Sequence, residues 1–453
     1  MTPILVSALQ SGAGKTVLAC GLIRALQRRG LTVAGFKCGP DYLDPMFHRR
    51  VLGAPSDNLD LFLQGSARVH ELLASTDAEV AVIEGAMGFF DGLAGTDEAS
   101  AWQLAADEGI PVVLAVRPQG AGLTLAAQIA GVLSFRAPHQ VVGVVLTDCR
   151  EALAAYLAPL IERECHVAVL GFLPPMEEAR IGSRHLGLVR ADEVVGLEVR
   201  VDAIAAQLER SVDVDALLDE ANQSRPSSPP CSVEVVERGR RPAGPVRCRI
   251  GVARDAAFCF YYEASLRELE AWGAELVPFS PLEDDELPTV DALYLGGGYP
   301  ELHASQLAAN VSMRDSVRAA LAEGLPTVAE CGGFLYLQES LVDADGVEHP
   351  MVGALPGRGY PAGHLVRFGY AWLEVGQDSL LFRAGERVPV HEFHHWESTE
   401  HGEDLVAVKP DGRSWGCCYA TPALYAGWPH LHLAGELPLA ERFVAAAEAF
   451  AAQ

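Results

Sequence analysis

The chain has 453 residues, a formal charge of −26, 49% apolar and 21% charged residues, the balance of a globular protein of two or three domains. An acidic surface of this size argues against nucleic acid or an anionic membrane as partner, and makes any polyanionic substrate depend on local Lys/Arg clusters. No apolar run reaches the roughly 20 residues of a membrane span, no basic, cleavable leader pattern precedes the first strand, and the ten cysteines are scattered without a C-x-x-C pair. A cytoplasmic protein with reduced thiols is therefore expected, rather than a disulfide or zinc framework.

The apolar run Ile4-Leu5-Val6 leads into Ser7-Ala8-Leu9-Gln10-Ser11-Gly12-Ala13-Gly14-Lys15-Thr16, and a helical pattern follows from Val17 to Arg29. Strand, small-residue turn, Gly-Lys-Thr and helix form the layout of a phosphate-binding loop. Backbone N–H groups at the helix start make a nest for phosphate oxygens. Gly12 and Gly14 keep the approach clear of a Cβ, Ala13 lies between them in the nucleotide-binding loop, Lys15 neutralises the outer phosphates, and Thr16 is the Mg²⁺ ligand. The usual first glycine would fall at Leu9, so the loop is a variant.

A second strand, Thr32–Lys37, ends in the turn Cys38-Gly39-Pro40-Asp41-Tyr42-Leu43-Asp44-Pro45. In an open α/β sheet, ligands sit at the strand C-termini, which puts this turn beside the phosphate loop. Asp41 reads as a metal ligand, direct or through water, and Asp44 as its support; ordinary Asp/Pro turn chemistry is the competing reading. Asp57 can serve as the cap of the following amphipathic helix, which leaves Asp60 as the acid less easily explained. The buried strand Glu79–Glu84 ends in an acid and runs into Gly85-Ala86-Met87-Gly88-Phe89-Phe90-Asp91-Gly92. Glu84 is the expected metal ligand, and Asp91 a substrate-side or metal-side acid. Strands at 111–116, 141–146 and 167–172, with a helix over 123–133, complete the pattern of a doubly wound parallel sheet. Arg180–Gly187 is a loop of local positive charge that can hold acidic substrate groups or simply lie at the surface.

Residues 223–246, rich in Pro, Ser and Gly, read as a linker. They divide a first domain, 1–222, from a second, 247–453. The second opens with a strand at 248–253, a helix from Phe258 to Trp272, and strands at 276–279 and 291–295. The last of these ends in Gly296-Gly297-Gly298, whose exposed N–H groups suit an oxyanion hole. Pro326–Glu330 then runs into Cys331-Gly332-Gly333: a strand, a tight turn bearing a thiol, and a helix, the geometry of a nucleophile elbow. A cysteine nucleophile needs a base, and His430-Leu431-His432 supplies two candidates. His391-Glu392-Phe393-His394-His395 matches the H-E-x-x-H pattern, but zinc chemistry needs it on a helix. Its neighbours Val388-Pro389-Val390 predict a strand lining a substrate or an interface.

Together, Ser11–Thr16, Lys37–Pro45, Glu84–Gly92, Arg184–Leu188, Glu330–Phe334, His391–His394 and His430–His432, in this order, resemble the cobyrinic or hydrogenobyrinic acid a,c-diamide synthase family over nearly the whole chain. The resemblance implies an α/β fold with an N-terminal doubly wound P-loop domain similar to dethiobiotin synthetase and a C-terminal class I glutamine amidotransferase domain. It implies that Cys331 attacks glutamine, that the Gly297–Gly298 loop holds the oxyanion, and that His430 aligns as the base, with His432 left open. The usual amidotransferase pattern His-x-Glu is here His-x-His. It further implies that MgATP phosphorylates the a and c carboxylates of a corrinoid, with Asp41, Asp44, Asp60, Glu84 and Asp91 serving metal, substrate and ammonia. Glutamine, ATP and the corrinoid acid are the expected partners, and a homodimer is left open. Cobyric acid synthase and a nickel-sirohydrochlorin amidating enzyme are the related alternatives. A partition-type P-loop ATPase is the alternative of a different class.

Overall fold

The computed structural model describes residues 1–177, 191–224 and 246–453. The basic loop expected at 180–187 and most of the expected linker lie outside the described residues. The chain forms two compact units: one takes in Met1–Leu61 and continues from Gly65, and the other takes in Phe62–Gln64 and the C-terminal residues.

The first unit is built on β1 (Thr2–Ala8), β2 (Val33–Cys38), β3 (Ser56–Leu59), β4 (Val80–Glu84), β5 (Val112–Val116), β6 (Val141–Leu146) and β7 (Ala168–Phe172), in the spatial order β3-β2-β4-β1-β5-β6-β7. All six pairings are parallel. Because side chains alternate along a strand, Ile4, Val6 and Ala8 enter the core on one face of the sheet and Leu5 the core on the other. The strand order reverses at β1, so the loop after β1 opens where such sheets bind ligands. The helix α1 (Lys15–Arg28) begins there. Asp57, expected as a possible helix cap, lies inside β3: pairing Gly35↔Ser56 and Phe36↔Asp57 extends the sheet instead.

The second unit carries a six-stranded sheet in the order Ala274–Phe279, Cys248–Ala253, Ala292–Leu295, Thr327–Glu330, Leu424–Gly427, Tyr419–Ala420. The first five strands are parallel and the last is antiparallel. A five-stranded antiparallel sheet contains Arg367–Val375, Arg387–His394 and His430–Leu431. The helix expected to begin at Phe258 begins at Glu263 instead. Phe258–Phe260 is a short strand, because its backbone pairs with Gly297–Gly298. The stretch His391–His394 is strand, as its β-rich flanks predict. The helix that would put both ends of the pattern on one face for a shared zinc is therefore absent there.

Candidate functional sites

In the first unit, Gly14 caps α1 in the left-handed conformation (φ 88°) with no side chain capping the first turn. Those N–H groups are available to an anion. A methyl at Gly14 would also meet Thr147 at 3.2 Å, and Thr147 Oγ1 donates to the Ala13 carbonyl at 2.6 Å, tying the loop to the end of β6. Lys15 folds back on its own loops, donating to the Met87 carbonyl and reaching toward Gln10 O at 3.5 Å. Burial and the nearby Lys37 charge lower its pKa.

Glu84 ends β4 beside this loop, its Oε1 accepting from Thr16 Oγ1 at 2.6 Å. Its other oxygen, Oε2, is buried with no hydrogen-bond partner. Burial, reinforced by the charge of Asp44, pushes the Glu84 carboxyl up to about 7, while Lys37 and Thr16 oppose the shift. An orphaned carboxylate oxygen next to a threonine hydroxyl at a phosphate loop fits a hard divalent cation. Between Asp44 and Glu84 stands Lys37, a residue the sequence reading did not single out: its Nζ is 2.6 Å from Asp44 Oδ2 and 3.0 Å from Glu84 Oε1. Burial alone would lower the Lys37 ammonium; Glu84, Asp44 and Asp41 together raise it. The available signal was position, since Lys37 closes a buried strand as Glu84 does, and the two are register partners.

The remaining acids divide by what holds them. Asp41 Oδ1 accepts from the backbone N–H groups of Leu43 and Asp44 at 2.7 and 3.0 Å, so it starts the helix Leu43–Arg50 and has the turn role that competed with metal binding. Asn58 braces the same turn, donating to the Gly39 and Asp41 carbonyls at 2.8 and 2.7 Å. Asp91 Oδ2 accepts from Gly88 N at 2.8 Å and closes the loop after β4. Asp60 is buried at the end of β3.

In the second unit, the strand Thr327–Glu330 lies between the two strands that deliver the other functional groups: Ala292–Leu295, followed by the triple glycine, and Leu424–Gly427, followed by the histidines. Cys331 sits half-buried at φ 49°, ψ −99°, a sparsely populated conformation for a non-glycine residue that costs on the order of 1–3 kcal/mol. It is held by Cys331 N donating to Gly427 O at 2.7 Å and Leu335 N donating to Cys331 O at 3.0 Å. The Gly298 nitrogen lies against Gly332, where a methyl group would come within 3.1 Å of it, and a methyl on Gly297 would come within 2.6 Å of His430 Cε1. Thiol, glycine loop and His430 thus meet. Burial would lower the His430 pKa, but the neighbouring Cys331 and Glu330 raise it to about 10. His432 instead stacks on Tyr262, with centroids 4.7 Å apart.

A phosphate-binding loop with an acid cluster in one unit, and a strained thiol with a histidine and a glycine loop in the other, define a glutamine-dependent amidating ligase. Residues 4–189 match the model of the CobQ/CobB/MinD/ParA nucleotide binding domain, and residues 249–437 that of the CobB/CobQ-like glutamine amidotransferase domain. Three proteins named cobyrinate a,c-diamide synthase are similar to nearly the whole chain. That of Clostridium tetani is 35% identical over 96% of this chain and 98% of its own, and that of Listeria innocua 37% over 95% and 96%. That of Salmonella typhimurium is 38% identical over 96% of each chain. The chain belongs to the cobyrinate a,c-diamide synthase family. No helix among the described residues is long and apolar enough to cross a membrane.

Proposed function

We propose that this chain converts the a and c side-chain carboxylates of cobyrinic or hydrogenobyrinic acid to amides in cobalamin biosynthesis, using ATP and glutamine in the cytoplasm. Residues 1–222 act as the ATP- and corrinoid-binding part and residues 247–453 as the glutaminase. The reading is carried by the convergence of Cys331, His430 and Gly297–Gly298 in a chain that also has a Gly-Lys-Thr loop facing Glu84. It is supported by full-length relatives that bear that name.

Cys331 Sγ attacks the side-chain carbonyl of glutamine. The N–H groups of Gly297 and Gly298 receive the oxyanion, and His430 passes a proton to the departing ammonia. Water then releases glutamate from the thioester. His430 is the base because it stands between Cys331 and Glu330; His432 lines the pocket against Tyr262. In the first part, Gly12, Ala13, Gly14 and Lys15 hold the ATP phosphates. Thr16 and Glu84 would hold Mg²⁺, with Asp41 holding the turn beside them. The cation, when bound, neutralises charge on the transferring phosphoryl group. A substrate carboxylate takes the γ-phosphoryl group, ammonia attacks the acyl carbon, and phosphate leaves; a second round amidates the other carboxylate. Lys37 pairs with both Asp44 and Glu84, while Asp60 and Asp91 shape the substrate side.

The test is mass spectrometry of corrinoid acids incubated with the enzyme, MgATP and glutamine. Two carboxylates, those of the a and c side chains, are expected to become amides. Amidation confined to other side chains, or to nickel-sirohydrochlorin, would overturn the reading.

A further inference from the structure

The amidotransferase pattern His-x-Glu is His430-x-His432 in this chain, and His432 is turned onto Tyr262. The imidazole therefore lacks a carboxylate two residues downstream. One reaches it from the other side of the nucleophile. Glu330 immediately precedes Cys331 and is 1% exposed. Its Oε2 lies 3.7 Å from His430 Nδ1 and accepts from the Tyr294 hydroxyl at 3.2 Å. Its Oε1 accepts from Leu431 N at 2.9 Å, the backbone group adjoining His430.

We propose, resting on the glutaminase reading above, that Glu330 is the positioning carboxylate for His430, replacing in space the acid that the sequence pattern lacks. One oxygen fixes the His430–Leu431 backbone while the other faces the ring, so a single side chain sets both the depth and the rotation of the imidazole. The Nδ1 separation is longer than a hydrogen bond; catalytic contacts of this kind shorten when substrate binds. A carboxylate this deeply buried is costly unless it is paired and hydrogen-bonded, and the imidazolium, the Leu431 N–H and the Tyr294 hydroxyl do this together. The titratable groups around the pair are Cys331 and His391 on the side of His430, and Tyr261, Tyr294 and Tyr425 on the side of Glu330. The three phenols are themselves raised by burial, with Glu330 adding to the shift, so they stay neutral.

The experiment uses the full chain and two nitrogen sources. Glu330→Gln keeps the shape and removes the charge. It is expected to lower kcat for glutamine about 100-fold, to leave KM for glutamine within about 3-fold, and to leave ammonium chloride-driven amidation unchanged, the size expected for a misplaced general base. The alkaline limb of kcat/KM for glutamine should move to lower pH by about one unit, since the imidazolium loses its partner. Glu330→Asp should recover at least a tenth of wild-type activity. Tyr294→Phe, which removes one hydrogen bond to Glu330 but keeps the carboxylate and its contacts with Leu431 N and His430, should stay within about 5-fold of wild type. A Glu330→Gln enzyme with the wild-type kcat and pH profile, or a Tyr294→Phe enzyme as damaged as Glu330→Gln, would overturn the proposal. Failure of the glutaminase reading itself looks different: Cys331→Ser would then still use glutamine.

Discussion

The Lys37 ammonium lies 3.0 Å from Glu84 Oε1, and the two residues are register partners across adjacent parallel strands. With Asp44 at 2.6 Å on its other side, one buried cation holds two buried carboxylates. Removing one partner of such a group leaves an uncompensated charge, at a cost of about 3–5 kcal/mol. Lys37→Met is therefore expected to destabilise the first unit by that order, read as a lowered unfolding midpoint in denaturant. It should also abolish amidation from either nitrogen source while sparing glutamine hydrolysis. A variant with normal stability and normal amidation would show that the acids do not depend on Lys37.

The phosphate loop makes a separate prediction. Thr16 hydroxyl and Glu84 Oε2 flank the place proposed for the cation, and Lys15 is held by loop carbonyls until phosphate displaces it. Lys15→Ala and Thr16→Ala should each reduce ATP-dependent amidation at least 100-fold with ammonium chloride as donor, the range expected when phosphate-clamping electrostatics are lost. Calorimetry should separate them: Lys15→Ala weakens ATP binding with or without Mg²⁺, whereas Thr16→Ala removes only the Mg²⁺-dependent part. Equal Mg²⁺ dependence in both variants would count against Thr16 as a ligand.

Gly297 ties the glycine loop to the base. A methyl added there would sit 2.6 Å from His430 Cε1, so either the ring or the loop must move. Displacements of this size at a reacting group cost about 100-fold. Gly297→Ala should lose glutamine-driven turnover by that factor and retain ammonium chloride-driven amidation. A wild-type rate of glutamine hydrolysis would separate Gly297 from the reaction.

What could be read beforehand was whatever local spacing dictates. The Gly-Lys-Thr turn, the acid closing β4 and the thiol between a β-run and two glycines depend on neighbours a few residues away, and each lies where the spacing places it. The strand character of His391–His394 also followed from its flanks. What escaped depends on pairing between distant segments. Phe258–Phe260 is strand only because Gly297–Gly298 lies beside it, and Asp57 is strand because β2 is its neighbour. Lys37 and Glu330 became visible as site residues only when the register set one against Glu84 and the fold set the other against His430. For Asp41 and Asp91 the same spacing that suggests a metal acid also makes a self-bonded turn, and each carboxylate accepts from the backbone of its own loop.

Two buried histidines that face one another predict how stability depends on pH. His391 and His430 are register partners in the antiparallel sheet. Burial, helped by the His430 charge and Lys409, lowers His391 to about 3, whereas Cys331 and Glu330 overcome burial and raise His430 to about 10. For His391 the unfolded chain binds the proton more readily, so stability falls as pH drops from about 6.5 toward 3. For His430 the folded chain binds it more readily, so its contribution is complete below about 6.5 and is lost as pH rises toward 10. Each contributes a slope of about 1.4 kcal/mol per pH unit inside its window. The second unit should be most stable near pH 6.5 in unfolding followed by tryptophan fluorescence. His391→Asn should flatten the acid side alone, and His430→Asn the alkaline side and, in part, the acid side, because the His430 charge helps to lower His391. An unchanged acid slope in His391→Asn would mean that the carboxylates, not this histidine, set acid stability.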